Sequence, residues 1–196
     1  MEETSMIKLK DILTERISDV VYHFTAPDAA TLIIRQNRFK LAPIPVGQRV
    51  DPGKKYEDGY YMSVARTKIE GYTKLVGDSK CKNVRMELDG AKMGNTLKGG
   101  AYNYFHGQHG KDDYEEYEDR VYSRKQYIDN ALGYIKRIDV YWDNRCEIGF
   151  NFVKTALEHN IPTFLFAKRE KWAQQSGGIE VKDMDGYSLF MHKVMK

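Results

Sequence analysis

Hydrophobic and polar positions alternate along this chain in short bursts that predict strands more often than helices. Residues 20–24 (VVYHF) are a β-branched and aromatic run that predicts a strand, closed by the break Thr25-Ala26-Pro27-Asp28. Thr25 or Asp28 is suited to cap the helix that follows, and Pro27 is tolerated in a first turn. That helix, 28–36 (DAATLIIRQ), is expected to turn Ala29, Leu32, Ile33 and Gln36 inward. Residues 60–64 predict a strand, and 83–89 (NVRMELD) another with Val84, Met86 and Leu88 on one face. Further strands are expected at 117–122 and 134–142, the latter setting Ile135, Arg137, Asp139 and Tyr141 against Tyr134, Lys136, Ile138, Val140 and Trp142. A helix at 147–159, a turn at Asn160 and a strand at 162–167 make a strand–helix–strand unit, which predicts a parallel pairing.

Three stretches lack a clear period. Residues 7–18 are expected to be helical or loosely structured. Residues 37–59, rich in Pro, Gly and charge, predict a long loop, a class usually functional in compact domains. Residues 92–111, with Gly94, Gly99, Gly100, Gly107 and Gly110, predict a second one. With strands outnumbering helices in the middle, the class is α+β, in a single domain over 1–196.

Composition narrows this only a little. Hydrophobic residues are 41% of the chain, enough for a core, and fourteen tyrosines against eight phenylalanines suggest half-buried rings with a polar tip. A formal charge of +3 permits a polyanionic partner without demanding one. Residues 1–7 lack a basic region followed by an apolar stretch, so no signal peptide is expected. No window nears the roughly 18 apolar residues of a membrane span, and a cytoplasmic location is expected. Cys81 and Cys146 match no metal or redox spacing, and a disulfide between them is not expected.

Candidate chemistry sits in three short sequences. The first is Tyr22-His23-Phe24-Thr25, before a helix carrying Leu32-Ile33. The second runs from Tyr60-Tyr61-Met62-Ser63-Val64-Ala65 to Arg66-Thr67, near Tyr72. The third is Tyr117-Glu118-Asp119-Arg120-Val121-Tyr122, followed by Tyr134-Ile135-Lys136-Arg137-Ile138. In this order the three resemble the ADP-ribosyltransferase fold, most closely the DarT-type toxins that modify nucleic-acid bases. The resemblance spans roughly residues 20–142, with 143–196 as a C-terminal helix–strand extension.

The resemblance implies two small β-sheets splayed around an NAD cleft. It places His23, Phe24, Thr25, Tyr61 and Ser63 around NAD, as co-substrate, with Tyr61 stacking on the nicotinamide and Ser63 bonding near it. Arg66 would grip the pyrophosphate or position NAD. Glu118 would be the catalytic carboxylate, stabilising the cation-like ribose and taking a proton from the attacking nitrogen. The acceptor implied is a base of DNA or RNA, bound through Glu116, Tyr102 and Tyr104, with Phe105 also able to stack. Lys54, Lys55, Lys68, Lys74, Lys80, Lys82, Arg120, Arg124 and Lys125 could track phosphates. A toxin or phage-conflict role with a neutralising antitoxin protein follows by analogy alone.

Each residue also has a plainer reading. His23 fits a satisfied core histidine, Arg66 a solvated strand end, and the acidic run 112–119 a solvated face. Glu116-x-Glu118 also looks like the signature of arginine-modifying ADP-ribosyltransferases, so a protein acceptor stays open. So do a non-catalytic nucleic-acid-binding module and transfer of an RNA 2′-phosphate to NAD. His106-x-x-His109 offers only two ligands, too few for zinc, and no metal is expected. P-loop and Rossmann fingerprints are absent.

Overall fold

The computed structural model describes residues 17–44, 59–66, 82–102, 118–142, 148–168, 171 and 177–195, with residues 100–102 and 118 described by backbone only. Among these, the fold is α+β, four helices with a mixed nine-strand sheet and a small two-strand sheet. The strands are β1 (Val20–Thr25), β2 (Arg38–Lys40), β3 (Ala42–Pro43), β4 (Tyr60–Ala65), β5 (Val84–Asp89) and β6 (Lys98–Tyr102). They continue with β7 (Glu118–Ser123), β8 (Tyr127–Asp129), β9 (Ile135–Tyr141), β10 (Thr163–Phe166) and β11 (Ile179–Val181). The helices are α1 (Pro27–Gln36), α2 (Gly90–Thr96), α3 (Phe150–Glu158) and α4 (Met184–Val194).

The large sheet runs β11-β10-β9-β5-β1-β4-β7-β6, with β3 beside β4, while β2 pairs with β8. Only β9 and β10 are parallel, joined through α3 as the strand–helix–strand pattern predicts. The C-terminal segment therefore extends the sheet.

Alternation in the strands sets up two unlike faces. Val21, Val64, Val84, Met86, Leu88, Val121, Ile138, Val140 and Leu165 lie on one face, all but excluded from solvent, in one core with Ile33 and Ile34 of α1 and Phe152 and Val153 of α3. The opposite face carries Tyr22, Phe24, Ala65, Tyr141 and Phe166 as a second, smaller apolar cluster. It also holds charge. Arg85 Nη2 meets Asp139 Oδ2 at 2.6 Å with both side chains buried, and Arg137 Nε donates to Asp139 Oδ1 at 2.5 Å. Arg137 lies 3.6 Å over the Phe164 ring. The Tyr22 hydroxyl nearby is pushed up to about 12, by burial and then by Glu87, with Arg85 opposing.

Several expectations are corrected. In α1 the buried positions are Ala30, Ile33 and Ile34, and Leu32 is 56% exposed. Two i, i+3, i+4 stripes overlap in this helix, and packing on α3 selects the more β-branched one. The residue before α1 is Ala26, with no side-chain cap, so neither Thr25 nor Asp28 caps it. Its C-cap is Asn37, left-handed at φ 50°, whose Oδ1 accepts from Leu132 N and whose carbonyl accepts from Ala131 N. That side chain accounts for the tolerated positive φ.

The predicted loop at 37–59 begins instead with β2 and β3, and its residues 45–58 lie outside the described residues. The glycine-rich stretch contains the end of α2 and all of β6. Glycine there serves close approach. A Cβ on Gly90 would lie 1.9 Å from the Ser18 carbonyl oxygen, and one on Gly99 2.5 Å from the Arg120 carbonyl and 2.7 Å from Ile17. Asp89 caps α2 by accepting from Lys92 N at 2.9 Å, which holds its carboxyl below the usual range, as Lys136 at 3.2 Å also does.

Candidate active site

The three chemistry-bearing sequences become neighbouring strands. β1, β4 and β7 lie side by side, although long stretches of chain separate them. β1 is paired with β5 at every position, and β4 with β7 likewise, but β1 meets β4 at one pair, Tyr22 with Ala65. Beyond that pair the two strands part, and a cleft of about 180 Å³ opens between them. His23 and Phe24 line it from β1, Tyr61, Met62, Ser63 and Ala65 from β4. Tyr22, Lys40, Ala42 and Lys82 complete the lining.

His23 is half-buried. Its Nδ1 is shut away from solvent with no hydrogen-bond partner among the described residues, and its ring sits edge-on to Phe39 at 5.9 Å. Burial pushes the imidazole down from 6.5 to about 4; the Ser63 backbone opposes this and the Lys82 charge adds to it. His23 is therefore neutral near pH 7, with one ring nitrogen a donor and the other an acceptor. Arg120 lies 4.5 Å over the Tyr61 ring. Arg120 pairs with Ser63 across β7 and β4 and is itself buried.

One row of paired positions crosses the sheet where the cleft begins: Tyr102, Glu118, Ala65, Tyr22, Glu87 and Arg137. The backbone of Glu118 thus stands directly opposite Ala65, a residue of the cleft lining. Its neighbour Asp119 is fully buried, which corrects the reading of 112–119 as wholly solvated. Asp119 Oδ1 accepts from Arg66 Nε at 2.6 Å and Oδ2 accepts from Ser18 N at 2.7 Å.

Arg66 therefore sits beside the cleft, tied to Asp119, and is not part of the lining. Thr25 is buried in β1 just past Phe24, also outside the lining. Tyr102 is present as backbone in β6, paired with Glu118. Glu116, Tyr104, Phe105, His106 and His109 lie outside the described residues, as do Lys54, Lys55, Lys68, Lys74, Lys80, Cys81 and Cys146. Among the described residues no group of three or more metal-ligating side chains occurs, and no helix is long and apolar enough to cross a membrane.

Lys40 and Asp119 were not legible as site residues. Lys40 ends a three-residue strand masked by the Pro- and Gly-rich stretch after it, with only the Arg38-Phe39-Lys40 alternation as a signal. Asp119 belongs to an acidic run whose composition hides its burial.

No family model, curated protein or solved structure matches the chain.

Proposed function

We propose that this chain is an NAD-dependent ADP-ribosyltransferase that transfers ADP-ribose to a nucleobase of DNA or RNA. The observation that carries the reading is a cleft lined by residues of the first two motifs, His23 and Phe24 from β1 and Tyr61 and Ser63 from β4, with β7 beside β4 and Glu118 in register with Ala65. In this reading the finer architecture is a sheet split between β1 and β4 around the NAD site. The cleft suits the nicotinamide–ribose end of NAD. Tyr61, backed by Arg120, offers a ring face for the nicotinamide. Neutral His23 contributes to the cleft lining beside the place proposed for the ribose.

The reaction breaks the bond between nicotinamide and the ribose C1′, and the electron pair leaves with nicotinamide. The ribose passes through a cation-like state that the Glu118 carboxylate stabilises. A nitrogen of the base attacks C1′, and its proton goes to Glu118. Arg66, held by Asp119, is assigned a positioning role next to the carboxylate strand. A toxin or phage-conflict effector, with an antitoxin partner, is the biological setting that fits this chemistry.

The test supplies NAD labelled in the adenylate to separate pools of DNA, RNA and protein, beside Glu118→Gln and His23→Gln variants. Label should enter one nucleic-acid pool and fall by at least about 100-fold in Glu118→Gln. Label in protein alone would replace the nucleobase by an arginine acceptor. Absence of label from folded protein in every pool would end the ADP-ribosyl reading.

A further inference from the structure

The geometry points to Lys40 and Lys82 as a phosphate-binding pair at the mouth of the cleft, which makes the site one for a nucleotide whose phosphates lie outside the aromatic pocket. This rests on the cleft assigned above to NAD, and it moves the pyrophosphate away from Arg66.

The cleft holds about 180 Å³, below the roughly 300–1,000 Å³ of sites that enclose drug-sized ligands. A ring and a sugar use that space, so the charged part of a nucleotide has to lie at the opening.

Lys40 and Lys82 both line the cleft, from different elements. Lys82 also acts on the His23 ring electrostatically, so its charge stands close to a residue of the cleft lining. Arg66 is not part of that lining, and its Nε donates to buried Asp119.

The backbone under each lysine is fixed. Lys40 pairs with Tyr127 across β2 and β8, the next residue bonds Gln126 through Leu41 N, and Phe39 anchors the strand against His23. Lys82 precedes Asn83, whose side chain donates to the Tyr141 carbonyl at 2.9 Å while its own carbonyl accepts from Tyr141 N at 3.1 Å. Two ammonium groups on anchored backbone, one ending β2 and one just before β5, beside aromatic Tyr22, Phe24 and Tyr61, match the two halves of a nucleotide: phosphate and ring.

Calorimetric titration of the full chain with ADP, inorganic pyrophosphate and adenosine tests this, using wild type, Lys40→Gln, Lys82→Gln and Arg66→Gln. ADP should bind wild type, and each lysine variant should weaken it by roughly tenfold. Adenosine affinity should stay the same in both, and Arg66→Gln should leave ADP affinity within about twofold. Unfolding midpoints of the lysine variants confirm that they are folded. ADP affinity unchanged in both lysine variants, or lost only in Arg66→Gln, overturns the assignment. The two readings separate cleanly. Lysine-dependent ADP binding without transfer of ADP-ribose retains this pair and removes the transferase reading. Transfer from NAD with an unaltered KM in both lysine variants does the reverse.

Discussion

The two halves of the large sheet differ in how completely their strands pair. From β5 through β9 to β10 neighbouring strands stay paired, with one register shift between Glu87 and Leu88, and their charges face one another. Asp139 is gripped by Arg85 on one oxygen and Arg137 on the other, and Phe164 covers Arg137. Between β1 and β4 the pairing stops after Tyr22 and Ala65. There a shielded His23 nitrogen has no partner among the described residues, and Tyr61, Ser63, Lys40 and Lys82 line an opening. Buried polar groups that satisfy one another lock a structure. The closed half thus supports the strands that border the split.

The largest effect should come from breaking the closed half. Asp139→Ala leaves the fully buried Arg85 guanidinium without its carboxylate, a loss of about 3–5 kcal/mol by urea unfolding. A loss below 1 kcal/mol would mean that the two halves do not differ as described. Next in size is the acid limb set by His23. Its folded value of about 4 lies below the ordinary 6.5, so the unfolded chain binds more protons between the two. Stability is full above pH 6.5 and is lost as the pH falls through about 4, by roughly 2–3 kcal/mol from this group. His23→Gln should flatten that slope, and an unchanged slope would show that the split is not what couples folding to pH.

A smaller effect tests the glycine at the closed half's edge. Gly90→Ala puts a Cβ against the Ser18 carbonyl and should cost about 1–3 kcal/mol. Because it separates the Ile17–Ser18 segment from α2, early proteolysis near residue 17 should accompany it. The smallest effect is at Leu32. It is exposed on α1, so Leu32→Ser should change stability by less than about 0.5 kcal/mol, while Ile33→Ala, on the buried stripe, should cost about 2–4 kcal/mol. Equal effects at the two positions would restore the helix face that its sequence first suggests.

Local pattern determined much of this protein. The strands at Val20–Thr25, Tyr60–Ala65, Val84–Asp89 and Ile135–Tyr141, the helix Phe150–Glu158 and the parallel β9–β10 pair all follow from alternation, periodicity and turn residues, because these are properties of neighbours along the chain. The motif residues His23, Phe24, Tyr61 and Ser63 were likewise legible. What only the tertiary structure decided depends on residues far apart in sequence. Which stripe of α1 is buried is set by α3. Whether the glycine-rich stretch is loose or tightly packed is set by Ile17 and Ser18 lying against it. Whether an acidic residue is solvated or buried is set, for Asp119, by Arg66 and the Ser18 amide. The place where β1 and β4 separate, and with it the presence of Lys40 at the cleft, comes from strand pairings that close long loops. Local pattern carries no record of such pairings.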